Sequence, residues 1–203
     1  GGNPKILECG PDQSFKLTPS QLDKAITSKT KWVLINSPSN PTGAVYTESE
    51  LKALGEVLLK HDHVYVMSDD IYEELLYDGV KFSTIASVMP ELQPRTLTIN
   101  GVSKTYAMTG WRIGYAAGPR ELISTMSKIQ SQSTSNACSI AQYASIEALN
   151  GPQDVVEDMR KAYEARRDKM VSELENISEL QIFNPAGAFY LYIGCSGMIG
   201  KKT

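Results

Sequence analysis

Apolar positions along this chain fall into short blocks separated by polar stretches, and the blocks are of two kinds. Trp32–Asn36 (WVLIN), Val64–Ser68 (VYVMS) and Thr96–Asn100 (TLTIN) are runs of strand length rich in β-branched and aromatic residues. WVLIN is apolar almost throughout, which predicts a buried strand. Between the first two runs, Leu51, Leu54, Val57 and Leu58 recur at helical spacing, and Thr47-x-x-Glu50 is a capping box, so a helix is predicted from Thr47 to about Lys60. An earlier helix starts with Thr18 as cap, Pro19 at the first position and Gln21 reaching back, and runs to about Ser28. Lys5–Glu8 reads as a first short strand. Strand, helix and strand repeated at this spacing predict parallel crossovers and an α/β fold with a doubly wound sheet.

The pattern then changes. Gly101–Trp111 is about the shortest connection that could hold a parallel crossover, and it shows no helical periodicity. Arg112–Ala117 is therefore read as a strand running antiparallel to Thr96–Asn100. Helices are predicted over Arg120–Ile129 and Ser139–Leu149, the second stopped by Gly151-Pro152. Asp154–Leu174 is a long amphipathic helix with Val155, Met159, Ala162, Tyr163, Arg166 and Met170 on one side and a solvated charged face opposite. Gln181–Phe183 and Ala188–Ile193 read as strands of a smaller α+β unit, entered through Pro185-Ala186-Gly187. The division expected is a larger unit over residues 1–151 and a connecting helix with the start of a smaller one over residues 152–203.

Composition narrows the classes. The chain has 203 residues, enough for a sizeable core, and 41% are hydrophobic, an ordinary share for a soluble globular protein. A formal charge of −3 without long runs speaks against a nucleic-acid surface. Cys9, Cys138 and Cys195 are widely spaced and odd in number, the usage of reduced thiols in a cytoplasmic protein. His61 and His63 have no third candidate ligand nearby, so no metal is expected. No run reaches the length of a membrane span, and no signal-peptide pattern is present. Gly1-Gly2-Asn3-Pro4 and Gly200-Lys201-Lys202-Thr203 read as the ends of a piece of a longer chain.

In doubly wound sheets, ligands sit beyond the carboxyl ends of the strands. Three successive strands deliver Asn40, then Asp69 with Tyr72, then Lys104 to that edge, and the antiparallel return brings Arg112 there. Ser37–Gly43 holds two prolines and a glycine, which fix the backbone of the Asn40 loop. Each residue has an ordinary alternative: a solvated lysine, an arginine paired with some carboxylate, an aspartate capping a helix, a core tyrosine. Together they supply an amide, a carboxylate, a phenol, an amine and a guanidinium, which suits an anionic ligand whose carbonyl a lysine can capture. Ser103-Lys104-Thr105 lacks the G-x-x-x-x-G-K of a phosphate-binding loop, so nucleotide hydrolysis is set aside.

The segments Ser37–Gly43 (SPSNPTG), Ser68–Glu73 (SDDIYE), Asn100–Tyr115 (NGVSKTYAMTGWRIGY), the Ser135-Asn136 turn and Gly187–Tyr190 (GAFY) resemble those of class I aminotransferases, and the bacterial aspartate aminotransferase subgroup in particular. That family consists of pyridoxal 5′-phosphate enzymes of fold type I. The resemblance implies that residues 1–151 are part of the large cofactor-binding domain. It implies that Lys104 forms a Schiff base with the cofactor aldehyde and then shuttles a proton, since a partly desolvated amine beside another cation is a nucleophile near neutrality. Asp69 would pair with the pyridine nitrogen, and Asn40 and Tyr72 would bond the phenolic oxygen. Asp70 is set aside because the family pattern is Asp-x-x-Tyr ending at Tyr72. Arg112 would grip the phosphate, helped by Ser103. The partners implied are amino-acid and 2-oxo-acid substrates and a second copy of the chain in a cytoplasmic homodimer.

Two positions depart from the best-known subgroup. Ser131 stands where a substrate-selecting arginine lies four residues before the Ser-Asn pair, and Gly101 stands where a phosphate-binding serine is frequent. The same resemblance implies that the amino-terminal segment with its phosphate loop and ring-stacking aromatic, and a later carboxylate-binding arginine, belong to chain outside this sequence. The piece alone would then be catalytically incomplete. Amino transfer between aspartate or glutamate and a 2-oxo acid is the leading expectation. A prephenate or aromatic aminotransferase is the near alternative, and a non-enzymatic regulator with an aminotransferase-like domain the distant one.

Overall fold

A computed structural model describes residues 2–201. Gly1, Lys202 and Thr203, which belong to the two chain ends considered above, lie outside the described residues. The architecture is α/β, built on a four-stranded, mostly parallel sheet of β1 (Trp32–Asn36), β2 (Tyr65–Asp69), β3 (Thr96–Gly101) and β4 (Gly114–Ala117) in that order. The first three strands are parallel, and β4 returns antiparallel to β3 with Gly101 opposite Gly114. Both capping boxes form: Thr18 opens α1 (Pro19–Ala25) and Thr47 opens α2 (Glu48–Leu58), each with the side chain of the third helical residue reaching back. The remaining helices are α3 (Ile85–Val88), α4 (Val102–Thr105), α5 (Arg120–Ser131), α6 (Ser139–Asn150) and α7 (Asp154–Leu174).

Alternation along the strands decides where the core lies. Ile35 and Val66 point to the face covered by α1, α2 and α3, where they pack with Leu22, Leu51, Leu54, Leu58 and Ile85. Leu54 and Leu58 are fully buried there, each worth about 1.5–3 kcal/mol of hydrophobic stabilisation. The opposite face carries Trp32, Leu34, Tyr65 and Met67. Leu34 is 62% exposed, so β1 is not the buried strand its apolar run predicts. An apolar run specifies two apolar faces, and only one of them is covered among the described residues.

Other expectations also shift. Lys5–Glu8 forms no strand, since no neighbouring strand pairs with it; Lys5 instead donates from Nζ to the Ala25 carbonyl at 3.1 Å. The α2 helix stops at Leu58, and Leu59 and Lys60 form a turn. Gly101–Trp111 does hold helix, the single turn of α4 and a 3-10 turn at Thr109–Trp111, both too short to show a period. Arg112 lies outside β4 in a left-handed conformation, φ 57° and ψ 47°.

A second small core joins the carboxyl edge of the sheet to the end of the chain. Tyr72, Leu75 and Ala188 are buried together, with Tyr163 of α7 and Tyr190 packed against them. Of the predicted inward side of α7, Met159 and Tyr163 are half-buried, but the buried residues are Val156 and Arg167, while Val155 and Met170 are about half exposed. The charged stripe is not wholly solvated, because Arg160 donates to the Leu76 carbonyl at 3.1 Å and Arg167 is buried against Asp78. Those groups gain buried hydrogen-bond partners, which Val155 cannot use. Of the two late strands, β5 (Gln181–Ile182) and β6 (Ile193–Gly194) form a short antiparallel pair, and Ala188–Tyr192 is irregular. That stretch is committed elsewhere: Gly187 bridges to Leu76, and the Ala188 amide donates to Leu75 at 2.9 Å.

Candidate active site

The carboxyl edge of the parallel strands is where the predicted side chains converge. β1 runs into a loop in which the Ser37–Pro38 and Asn40–Pro41 peptide bonds are both cis. The Asn36 side chain ties this loop down, accepting from the Asn40 amide at 2.7 Å and donating to the Asp69 carbonyl at 3.0 Å. Asn40 is exposed at the edge, near enough to the Tyr72 hydroxyl for its side-chain amide to favour the ionised phenol.

The strand register explains why Asp69 and Asp70 have different surroundings. Asn36, Asp69 and Ile99 stand side by side across β1, β2 and β3, and alternation puts them on the face opposite Ile35 and Ser68. Asp69 is half-buried on that open side. Asp70 turns the other way, and its carboxylate accepts from Ser68 Oγ at 2.6 Å. Burial holds the Asp70 carboxyl above the usual aspartate range in spite of hydrogen bonds from Ser68 and Thr84.

Tyr72 is 2% exposed and sits at the centre of the edge. Its hydroxyl is 2.7 Å from that of Tyr190, and burial, with the Tyr190 hydrogen bond next, pushes the phenol well above the usual tyrosine range. The Lys104 ammonium nitrogen, projecting from α4, lies 5.5 Å from the Tyr72 ring centre and 5.0 Å from that of Phe189, within cation–π range of both. Ser103 adjoins Lys104 in the same turn and is half-buried. Arg112 stands at the rim. Pairing of Gly101 with Gly114 carries it back alongside the α4 turn, and its guanidinium donates only to the Thr109 carbonyl, at 2.9 Å, leaving most of the fork free among the described residues. It lines a hollow of about 660 Å³ with Trp111, Thr134, Asn136 and Cys138.

Asn40, Asp69, Tyr72 and Lys104 thus share one edge, with Ser103 beside the lysine and Arg112 on the rim. Phe189 and Tyr190 complete it and were given no role by sequence reasoning. Their signal was Gly187–Tyr190, two adjacent aromatics after a Pro-Ala-Gly entry, but only the fold brings them more than a hundred residues back to Tyr72. The chemistry available is amine capture of a carbonyl, proton transfer at the lysine, and anion binding at the arginine. Among the described residues, no group of three or more His, Cys, Asp or Glu side chains could hold a metal ion, and no helix is long and apolar enough to cross a membrane.

A mostly parallel sheet with a lysine, an Asp-x-x-Tyr pair and an arginine at its carboxyl edge defines an α/β transferase of the aminotransferase type. Residues 1–201 match the family model for aminotransferase class I and II, and the chain belongs to that family. It is 58% identical over 203 residues to an aspartate/prephenate aminotransferase of Cereibacter sphaeroides, covering 100% of this chain and 51% of that protein. It is 52% identical over 202 residues to an aspartate aminotransferase of Rhizobium meliloti, covering 100% of this chain and 49% of that protein. The crystal structure of the Rhizobium meliloti aspartate aminotransferase superposes with a TM-score of 0.96 over 98% of this chain and 50% of that one. The Thermus thermophilus aspartate aminotransferase with maleate, 43% identical, gives a TM-score of 0.89 over 95% of this chain and 50% of that one. The chain spans about half the length of the curated relatives it matches.

Proposed function

We propose that the full-length protein containing this chain is a pyridoxal 5′-phosphate-dependent aminotransferase acting on aspartate or glutamate and a 2-oxo acid. The observation that carries this is the Lys104 amine set over the Tyr72 ring, with Asn40 and Asp69 at the same carboxyl edge of β1 to β3.

The residues present fit the cofactor. Pyridoxal 5′-phosphate supplies an aldehyde that an amine can capture and a ring that, with its nitrogen protonated, draws electrons from the α-carbon of an attached amino acid. Lys104 would be the amine for that capture and, when free, would hold and move the proton at the α-carbon. Asp69, on the open face of β2, holds the proton on the ring nitrogen. Asn40 and Tyr72 would bond the phenolic oxygen. Arg112 offers its free guanidinium fork to the phosphate, with Ser103 as a neutral donor. Phe189 walls the lysine on its apolar side and limits water there.

The same proposal divides the chain into a cofactor-binding part over residues 1–151 and a connecting helix with the start of a smaller domain over residues 152–203. A cytoplasmic homodimer is the setting expected. Prephenate stands beside aspartate in the name of the Cereibacter sphaeroides relative, which makes it the second substrate to test.

The test is absorbance and amino transfer by the full-length protein with pyridoxal 5′-phosphate. A visible band and transfer from aspartate to 2-oxoglutarate are expected, both lost in Lys104→Ala. A band that persists unchanged in Lys104→Ala would refute the role of the lysine. Comparing aspartate and prephenate rates in wild type separates the two substrate assignments.

A further inference from the structure

We propose that Glu73 is a positioning residue that, through Asn100, fixes α4 and its Lys104 against the turn that carries Tyr72, a role that rests on the cofactor reading given above. Neither Glu73 nor Asn100 has a part in that reading. The turn after β2 carries Tyr72, and α4 after β3 carries Lys104. Backbone pairing between these segments ends early. Asp69 stands opposite Ile99, and the Asp70 amide, donating to the Ile99 carbonyl at 2.9 Å, makes the last backbone bond between them among the described residues. Beyond it the ladder no longer sets where Tyr72 stands relative to Lys104. Side chains take over: Asn100 Nδ2 donates to Glu73 Oε1 at 2.5 Å, and Asn100 Oδ1 accepts from the Gly101 amide at 2.7 Å.

The polarity of this relay follows from which groups can donate. A backbone N–H only donates, so the oxygen of Asn100 faces Gly101 and its NH2 group faces Glu73, whose carboxylate only accepts. Gly101 is the residue from which α4 departs, so holding its amide sets the direction in which Val102–Thr105 leaves the sheet. Asn100 is 8% exposed, and without the Glu73 oxygen its NH2 group would be left buried and unsatisfied. Gly101 has no slack either: a Cβ there would lie 2.8 Å from the Ile113 carbonyl and 3.1 Å from Ile71 Cδ1. Ile71 belongs to the same turn as Glu73, so this turn bears on the entry to α4 at two points. Alternation along β3 puts Asn100 on the face opposite Ile99 and Asp69. Glu73 therefore works from behind the edge, through Asn100.

The experiment uses the full-length protein with pyridoxal 5′-phosphate, as wild type, Glu73→Met, Glu73→Gln, Asn100→Asp, the double variant Glu73→Gln with Asn100→Asp, and Lys104→Ala. Glu73→Met keeps the length of the side chain and removes the acceptor. It should lower kcat for aspartate about 10- to 100-fold with KM little changed, the mark of a misplaced reacting group rather than of lost substrate contacts. Glu73→Gln, whose amide oxygen can still accept, should lose less. Asn100→Asp sets two carboxylates against each other and should fall at least as far as Glu73→Met. The double variant exchanges donor and acceptor, the new amide donating to the new carboxylate, and should recover about 10-fold of what Asn100→Asp loses. Urea unfolding of the cofactor-free variants separates folding from positioning. Rescue of stability without rescue of kcat, or equal kcat in Glu73→Met and Glu73→Gln, would overturn the positioning role while leaving the lysine assignment standing. A wild-type band and transfer indifferent to Lys104→Ala would overturn the cofactor reading itself, and the role of Glu73 with it.

Discussion

Arg167 and Asp78 meet through two parallel hydrogen bonds, Nη1 to Oδ2 at 2.8 Å and Nη2 to Oδ1 at 2.9 Å. This bidentate pair closes α7 onto the segment that carries Tyr72. The guanidinium also donates to the Pro185 carbonyl at 2.9 Å and lies 5.0 Å from the Tyr77 ring centre, and Tyr77 in turn bonds the Ala188 carbonyl. One arginine thus holds both the helix and the chain leading into Phe189 and Tyr190.

Replacing it tests that brace. The Arg167 side chain is 5% exposed and Asp78 59%, so the pair is buried on one side only and is worth less than a fully buried one. Arg167→Met is expected to cost about 2–3 kcal/mol, the loss of several charged hydrogen bonds at one site. Asp78→Asn keeps the shape and part of the bonding and should cost about 1 kcal/mol. Urea unfolding of the full-length protein reads both. Equal costs would mean that the Pro185 and Tyr77 contacts contribute nothing.

Stability near Asp70 depends on pH with a determinable sign. Burial holds this carboxyl above its ordinary value of 3.8. A carboxyl with a raised folded value binds its proton more tightly in the folded chain, so its favourable contribution is complete below 3.8 and is lost as pH climbs through the raised value. Asp70→Asn removes that titration and leaves an oxygen to accept from Ser68. The variant should therefore gain stability relative to wild type as pH rises from about 4 to neutrality. Parallel stability curves for the two proteins across that range would rule the account out.

Gly43 is where the Asn40 loop meets the segment that leads to Tyr190. Its φ is +69°, and an added Cβ would lie 2.3 Å from Pro185 Cβ and 2.8 Å from the Gly187 carbonyl. The Gly43 carbonyl also accepts from the Ala186 and Gly187 amides at 3.1 Å and 3.0 Å. Gly43→Ala combines left-handed strain with a clash against backbone, together roughly 2–4 kcal/mol. Denaturant melts of the full-length variant would show it, and a loss below 1 kcal/mol would mean the contact yields easily.

Much of this arrangement is legible in the sequence because local rules govern it. The capping residues Thr18 and Thr47, the bounds of β1 and α7, and the antiparallel return at β4 follow from side-chain chemistry within a few positions. Asn40, Tyr72 and Lys104 come together because each follows a parallel strand, a topological rule that needs no distant contact. What local pattern misses is set by partners far along the chain. The α7 side containing Val155 and Met170 is as apolar as the true inner one; Tyr163 belongs to both, and only Asp78 and Leu76 select the face with Arg160 and Arg167. Ala188–Tyr192 has strand-like residues but is drawn onto Leu75 and Tyr77 before it can pair. Arg112 reads as the start of a strand because arginine is not a turn residue, yet it takes the left-handed conformation.

That conformation allows a test separating fold from function at Arg112. The residue has φ 57°, a region costing a non-glycine residue about 1 kcal/mol, and among the described residues its side chain makes one hydrogen bond, to the Thr109 carbonyl. Glycine occupies this region freely, and loss of one exposed hydrogen bond is a small penalty. Arg112→Gly is therefore expected to leave stability unchanged or raise it by up to about 1 kcal/mol. If the guanidinium grips the cofactor phosphate through two charge-assisted bonds, the same change should weaken pyridoxal 5′-phosphate binding by about 100-fold or more. Arg112→Lys keeps the charge without the fork and should fall between the two. Thermal unfolding of cofactor-free protein and cofactor titration give the two numbers independently. Destabilisation with unaltered affinity would make Arg112 a structural residue and move the phosphate site elsewhere. Unaltered stability with weakened affinity means that this edge tolerates a strained backbone because the side chain it presents is needed by the ligand.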